Sequence, residues 1–222
     1  MAQVAPPALF DEISAGAPLT RPGKQARSSI KRIRELNGRV NVTVVRAPRT
    51  SAEAEAVKAL LLRNYGELVH PFFRREVPPT VGDGSKWRNG QVQVWMLVRE
   101  TDDAPLATLL WRFHNASKAK TRLAFGEALF STTMENHRRA GYGTELAQAW
   151  ISFMKTEGAE GVAVSSIGYG ADSDDREAAH GYGFIFWSSL GLTLCNSSCE
   201  HYGALKASML QFCDTKVHAL FL

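Results

Sequence analysis

Glu127 stands in a run of strand-forming residues, Gly126-Glu127-Ala128-Leu129-Phe130-Ser131-Thr132-Thr133. After Met134-Glu135-Asn136-His137 the chain reads Arg138-Arg139-Ala140-Gly141-Tyr142-Gly143-Thr144. A carboxylate among Phe125, Leu129 and Phe130 sits in apolar surroundings, which suits it to take a proton from a substrate. The second segment leads into a helix, and a helix N-terminus offers unsatisfied N–H groups and a positive dipole end to an anion. Gly141 and Gly143 remove side chains where a backbone must approach a ligand closely. Together these features describe an enzyme that holds a phosphate-bearing cofactor beside a strand-borne base. No Gly-Lys-Ser/Thr ending follows, so a nucleoside triphosphate loop is not supported. Plainer readings exist: Glu127 as an ion-paired or solvent-facing strand residue, and Arg138 to Thr144 as a turn entering a helix.

The elements that must position these groups follow from periodicity. Val40, Val42 and Val44 alternate as a half-buried strand requires. Thr50 and Glu53 form a capping-box signature, after which Val57, Leu60, Leu61, Tyr65 and Leu68 recur at helical spacing. Pro78 to Gly90, with Pro-Pro, Gly-Asp-Gly and Asn-Gly, is a loop. A strand over Gln91 to Glu100 turns at Asp102-Asp103-Ala104-Pro105 into a strand over Leu106 to His114, apolar on both faces as a central strand is. A polar turn, Asn115 to Lys120, precedes the Glu127 strand. Gly143 to Thr156 predicts a helix with Leu146, Ala147, Trp150, Ile151 and Met154 on one face, and Gly161 to Ile167 a further strand. Gly168 to Arg176 is a loop. A helix carrying Phe186, Trp187 and Leu190 ends at Gly191, and Lys216 to Leu222 forms a closing strand. Hairpins followed by alternating helices and strands predict an α/β (α+β) domain on a mixed, mostly antiparallel sheet with helices on both faces.

With 222 residues, 45% hydrophobic and 22% charged, the chain has the composition of one compact domain with a sizeable core. The predicted domain spans residues 39–222, and residues 1–38, rich in Pro, Ala, Gly, Ser and Arg, form a flexible basic extension. From Arg21 to Arg39 the chain has Arg21, Lys24, Arg27, Lys31, Arg32, Arg34 and Arg39 against the single acid Glu35, so part of the formal net charge of +4 is concentrated in this stretch. A solvated tail is one reading and a nuclear-import segment another. Without interleaved aromatics or a nucleic-acid fold signature, direct nucleic-acid binding is not expected. No apolar run is long enough to cross a bilayer. Met1 to Pro7 lacks a positive segment followed by an apolar one, and Asp11 and Glu12 speak against a transit peptide, so a soluble intracellular protein is expected. Cys195, Cys199 and Cys213 imply no disulfide framework, and Cys195-Cys199-His201 fits no common zinc spacing, so no metal is expected.

The order of elements and these residues resemble the GNAT superfamily of acyl-CoA-dependent N-acyltransferases. Arg138-Arg139-Ala140-Gly141-Tyr142-Gly143 matches that family's phosphate-loop pattern, Gln/Arg-x-x-Gly-x-Gly/Ala. Leu109-Leu110-Trp111-Arg112-Phe113, a turn, and Phe125-Gly126-Glu127-Ala128-Leu129-Phe130 resemble the PCAF-type histone acetyltransferases, with the same acid-to-loop distance. The match covers roughly residues 92 to 192. It implies acetyl-CoA as co-substrate and a protein lysine, histone-like, as acceptor in a nuclear setting. It implies Glu127 as general base acting through a water. Ser131, Thr132 and Thr133 would hold the acetyl carbonyl and pantetheine arm, and Arg138, Arg139, Ala140, Gly141, Tyr142, Gly143 and Thr144 the pyrophosphate. Tyr182, in Tyr182-Gly183-Phe184-Ile185-Phe186-Trp187, would lie near the thiol as proton donor. Phe186-Trp187 replaces the family's Tyr-Phe, Gly191-Leu192 replaces Gly-Phe, and the loop Tyr169 to Ala179 is longer. A small-amine acceptor, or an acyl-CoA-binding protein without activity, stands as the alternative.

Such a transfer sets three demands. A lysine amine, with a pKa of about 10.4, must lose a proton. Donors must face the thioester oxygen where charge develops. Holding the reactants in line contributes about 7–11 kcal/mol to lowering the barrier. His137 reads as a surface residue, His180 lies near Tyr182, and Trp95, Trp111, Trp150 and Trp187 read as core.

Overall fold

The computed structural model describes residues 30–36, 39–69, 92–116, 123–166, 185–209 and 216–222. Eight strands form one sheet: β1 (Ile30–Leu36), β2 (Arg39–Arg46), β3 (Val92–Arg99), β4 (Pro105–His114), β5 (Phe125–Thr133), β6 (Gly161–Ser166), β7 (Thr193–Cys195) and β8 (Lys216–Phe221). Their spatial order is β1-β2-β3-β4-β5-β6-β8-β7. Every neighbouring pair is antiparallel except β5–β6. The sheet is therefore mixed and mostly antiparallel, as expected.

Helices cover both faces. Helix α1 (Ser51–Tyr65) packs Val57 and Leu61 against Val94, Met96, Val98, Leu110 and Phe130. Helix α2 (Tyr142–Thr156) packs Leu146, Ala147, Trp150 and Met154 against Leu97, Leu109, Trp111 and Ala128 on the other face. Strand β4 supplies Leu110 to one layer and Leu109 and Trp111 to the other, which is why its sequence reads apolar throughout. Helix α3 (Tyr202–Ser208) seats Leu205 beside Phe125, Ala163 and Val217 in a third cluster. Cys195 is buried in that cluster; Cys213 lies outside the described residues. Among the described residues no helix is long and apolar enough to cross a membrane.

Two expectations shift. Ile30–Leu36, assigned above to the flexible extension, is strand β1, with Ile33 opposite Val42 and Leu36 opposite Arg39. The physical reason is local: Asn37-Gly38, between the two runs, is the strongest two-residue hairpin signal, and it outweighs the segment's charge. The second shift is the appearance of β7 and α3, which are too short for periodicity to reveal and are set by pairing and packing with β8. The loops Pro78 to Gly90 and Gly168 to Arg176 lie outside the described residues.

The start of α1 is pinned to the sheet. Thr50 caps it by accepting from the Glu53 N–H at 3.2 Å. Buried Arg46 of β2 grips Glu53 through two hydrogen bonds, 2.9 and 2.7 Å, and reaches Asp103 at 2.9 Å. The Arg46 bonds hold the Glu53 carboxyl well below the usual range, at about 2. A depressed carboxyl stabilises the fold above its unfolded pKa of about 4.5, and that contribution is lost as pH falls through about 2. Glu53→Gln should cost about 1–2 kcal/mol at neutral pH, partial exposure reducing the full value. Urea unfolding should show the variant losing less stability than the wild type between pH 4.5 and 2.

Candidate functional site

Strands β5 and β6 pair only from Phe125 opposite Gly161 to Ala128 opposite Val164. Both continue, β5 to Thr133 and β6 to Ser166, so beyond that point they part and leave a wedge-shaped opening in the sheet. Opposite Leu110 and Trp111 of β4 stand Phe130 and Ala128, so Leu129 is an extra residue, a β-bulge at the mouth of the wedge. The Met134 N–H donates to the Leu106 carbonyl at 2.9 Å. Alternation along an antiparallel pair then turns the backbone groups of Phe130 and Thr132 toward β4, and those of Ser131 and Thr133 toward the opening. Thr132 thus cannot offer its backbone to a ligand in the wedge, contrary to the reading that all three residues would.

The opening is a cavity of about 540 Å³. Ala128 to Thr133 form one wall and Val164 with Ser165 the other; Leu146 and Ala147 of α2 close one face, and Asn64 with Tyr65 of α1 reach it from the other. Arg138, Arg139 and Gly143 stand at its edge. Gly141 is the N-cap of α2 with φ 86°, left-handed backbone that an L side chain resists, and no side chain caps the helix there. Arg139 also has positive φ, 60°. A Cβ on Gly143 would sit 3.0 Å from Thr133 Oγ1, so a side chain there would push into the cavity wall. Uncapped N–H groups, two arginines and glycine-lined close approach fit a pyrophosphate, and a wedge with outward-turned Ser131 and Thr133 backbone fits an extended amide-bearing arm.

Glu127 is 1% exposed. A Cβ on Gly126 would strike Met154 and Trp150 of α2, so Glu127, next along the strand, points to the opposite face, shared with α1 and α3. There Arg112 Nε donates to Glu127 Oε2 at 2.5 Å, and His114 Nε2 lies 2.8 Å from the same oxygen. His114 stacks on Phe125 at 4.3 Å, and Arg112 also reaches the Ser208 carbonyl at 3.4 Å. The carboxylate is therefore the centre of a buried, oriented cluster one residue behind Ala128 in the cavity wall. It does not line the cavity itself.

The end of α1 braces the β5 wall of the cavity. The half-buried Tyr65 packs on Phe130, ring centroids 4.9 Å apart, and its hydroxyl donates to the Ser131 carbonyl. Asn64 Oδ1 accepts from Arg138 Nη2 at 3.0 Å. Burial pushes the Tyr65 phenol up to about 12, so it stays a donor at all ordinary pH. In a spectrophotometric titration one phenol should ionise near pH 12, and Tyr65→Phe should remove that late transition. The same substitution should cost about 1 kcal/mol of stability.

Of the residues read from sequence, Ser131, Thr132, Thr133, Arg138, Arg139 and Gly143 line one cavity. Gly141 shapes the turn, Tyr142 meets the His137 ring edge-on at 5.9 Å, and Ala140 and Thr144 complete the loop and first turn. Tyr182 and His180 lie outside the described residues. Sequence reading missed Asn64 and placed Tyr65 only in a helical stripe; the available signal was that a buried tyrosine hydroxyl requires a partner. Phe186 and Trp187 also reach the cavity, within the helical residues 185–189. Among the described residues no group of three His, Cys, Asp or Glu could hold a metal.

No family model and no curated protein matches the chain. Solved structures do. An acetyltransferase of the GNAT family from Staphylococcus aureus Mu50 superposes at TM-score 0.50 and 13% identity, covering 81% of this chain and 99% of that one. The NatC complex bound to Gag peptide and CoA gives TM-score 0.50 at 12% identity over 81% of this chain and 98% of the other. Arabidopsis thaliana NAA60 in complex with acetyl-CoA gives 0.52 at 10% over 81% and 98%. At this identity the likeness establishes the fold, and the fold is that of the GNAT acetyltransferases.

Proposed function

We propose that the chain is an acetyl-CoA-dependent N-acetyltransferase whose acceptor is a lysine amine of a protein, histone-like as the PCAF-type resemblance implies. The observation that carries this reading is the wedge between β5 and β6 opening onto the uncapped, glycine-lined start of α2. Bound there, acetyl-CoA supplies an activated acetyl thioester. Arg138, Arg139 and the first N–H groups of α2 bind the pyrophosphate. The outward backbone groups of Ser131 and Thr133 fix the arm, with the Ser131 carbonyl already taken by Tyr65. Residues from both faces of the sheet line the cavity, α2 closing one of them; in this reading the amine approaches on the α1 face while the cofactor lies along α2. On that face Glu127, oriented by Arg112 and His114, takes the amine's proton through a water. Tyr182 serves as proton donor to the leaving thiolate.

A specific observation favours a second acceptor class. A cavity of about 330 Å³ adjoins the first and shares Asn64 and Arg138 with it; it is lined by Arg63, Arg138 and His137 against Glu135, which pairs with Arg63 at 3.1 Å. This balance repels a strongly basic tail and suits a small or neutral amine. A nuclear location belongs with the histone acceptor and rests on the basic segment Arg21 to Arg39. Incubation with labelled acetyl-CoA and a panel of histone peptides and polyamines, read by mass spectrometry, should yield one acetylated class. CoA binding with no transfer to any amine would leave only an acyl-CoA-binding protein.

A further inference from the structure

Glu145 lies in the first turn of α2, the turn that puts Gly143 on the cavity, yet it is only 7% exposed. Its neighbours Gly143, Leu146 and Ala147 line that cavity. Glu145 Oε1 accepts a hydrogen bond from the Thr43 hydroxyl of β2, itself 1% exposed, and Glu145 forms no ion pair among the described residues. Four residues of helix place it about 6 Å along the axis from Gly141. A carboxylate held there, out of water, acts on the same field that attracts an anion to the helix start, and low exposure keeps solvent from screening it.

We propose that Glu145 is a built-in counter-charge that weakens the grip of the α2 N-terminus on the anionic cofactor and so sets how fast CoA leaves. The proposal rests on the acyl-CoA reading of the cleft. CoA must depart in every turnover, and product release limits the rate of many enzymes. A pyrophosphate facing a helix start without a side-chain cap and two arginines is held tightly, and a buried carboxylate behind it opposes that hold. The Thr43 bond keeps the charge from swinging out to solvent.

Glu145→Gln keeps the size and an oxygen to accept from Thr43 while removing the charge; Glu145→Met, of similar length, is a second neutral variant. Calorimetric titration should show both binding CoA about 5-fold more tightly than the wild type, a gap that narrows with added salt. Binding of pantetheine, which carries no phosphate, should be unchanged. Unchanged or weaker CoA binding in the neutral variants, or an equal change for pantetheine, would overturn the proposal and make Glu145 an anchor of α2 on β2. A wild type that does not bind CoA would fail the acyl-CoA reading itself, and the counter-charge with it.

Discussion

Gly141→Glu should weaken CoA binding at least about 100-fold, a loss of about 2.7 kcal/mol, while leaving the protein folded. Two effects combine. The position has φ 86°, where an L side chain costs about 1–2 kcal/mol unless the turn rearranges. The added carboxylate then stands at the helix start that is to receive phosphate, replacing attraction by repulsion. Gly141→Ala isolates the first effect and should lose less, since it adds strain without charge. Calorimetry with CoA reads both, and a thermal melt separates lost binding from lost fold. Retained affinity in the glutamate variant would remove the loop from the site.

The second large effect concerns Glu127. Glu127→Gln should lower kcat about 10²–10³-fold with CoA affinity little changed. The deficit should be greatest below about pH 8, where a lysine amine is almost wholly cationic and must be deprotonated on the enzyme. The buried cluster complicates this test, because removing one partner of a buried pair costs about 3–5 kcal/mol by leaving Arg112 uncompensated. Combining Glu127→Gln with Arg112→Met removes both charges and should restore much of the melting temperature without restoring turnover. If turnover returned with stability, or if the pH–rate profile of the single variant matched the wild type, Glu127 would be a structural residue and not the base.

How much of this could be read from the chain follows a physical divide. Strand β4 announced its central place because both of its faces are apolar, and the start of α2 because Gly141 and Gly143 precede Leu146, Ala147 and Trp150 at helical spacing. Those are local signals. The partners of Glu127 were in plain sight as Arg112 and His114, but which residues oppose Glu127 depends on the bulge at Leu129 and on strand register, which are tertiary facts. The wedge comes from β5 and β6 ceasing to pair beyond Ala128 and Val164, beside the bulge at Leu129, a matter of register that periodicity does not announce. Strand β1 was missed because the charges of Lys31, Arg32 and Arg34 masked a hairpin that Asn37-Gly38 encodes. Tyr65 fitted an apolar helical stripe, and its hydroxyl gained meaning only when Ser131 turned its carbonyl away from β4.

Amide-resolved NMR titration of the whole protein with CoA tests the central claim most directly. Binding in the wedge predicts saturable shifts concentrated at residues 129–133, at residues 139–144 and at Val164 and Ser165, with the amides of β1 and α3 unmoved. Shifts confined to other surfaces, or none at millimolar CoA, would show that this opening in the sheet does not hold the cofactor.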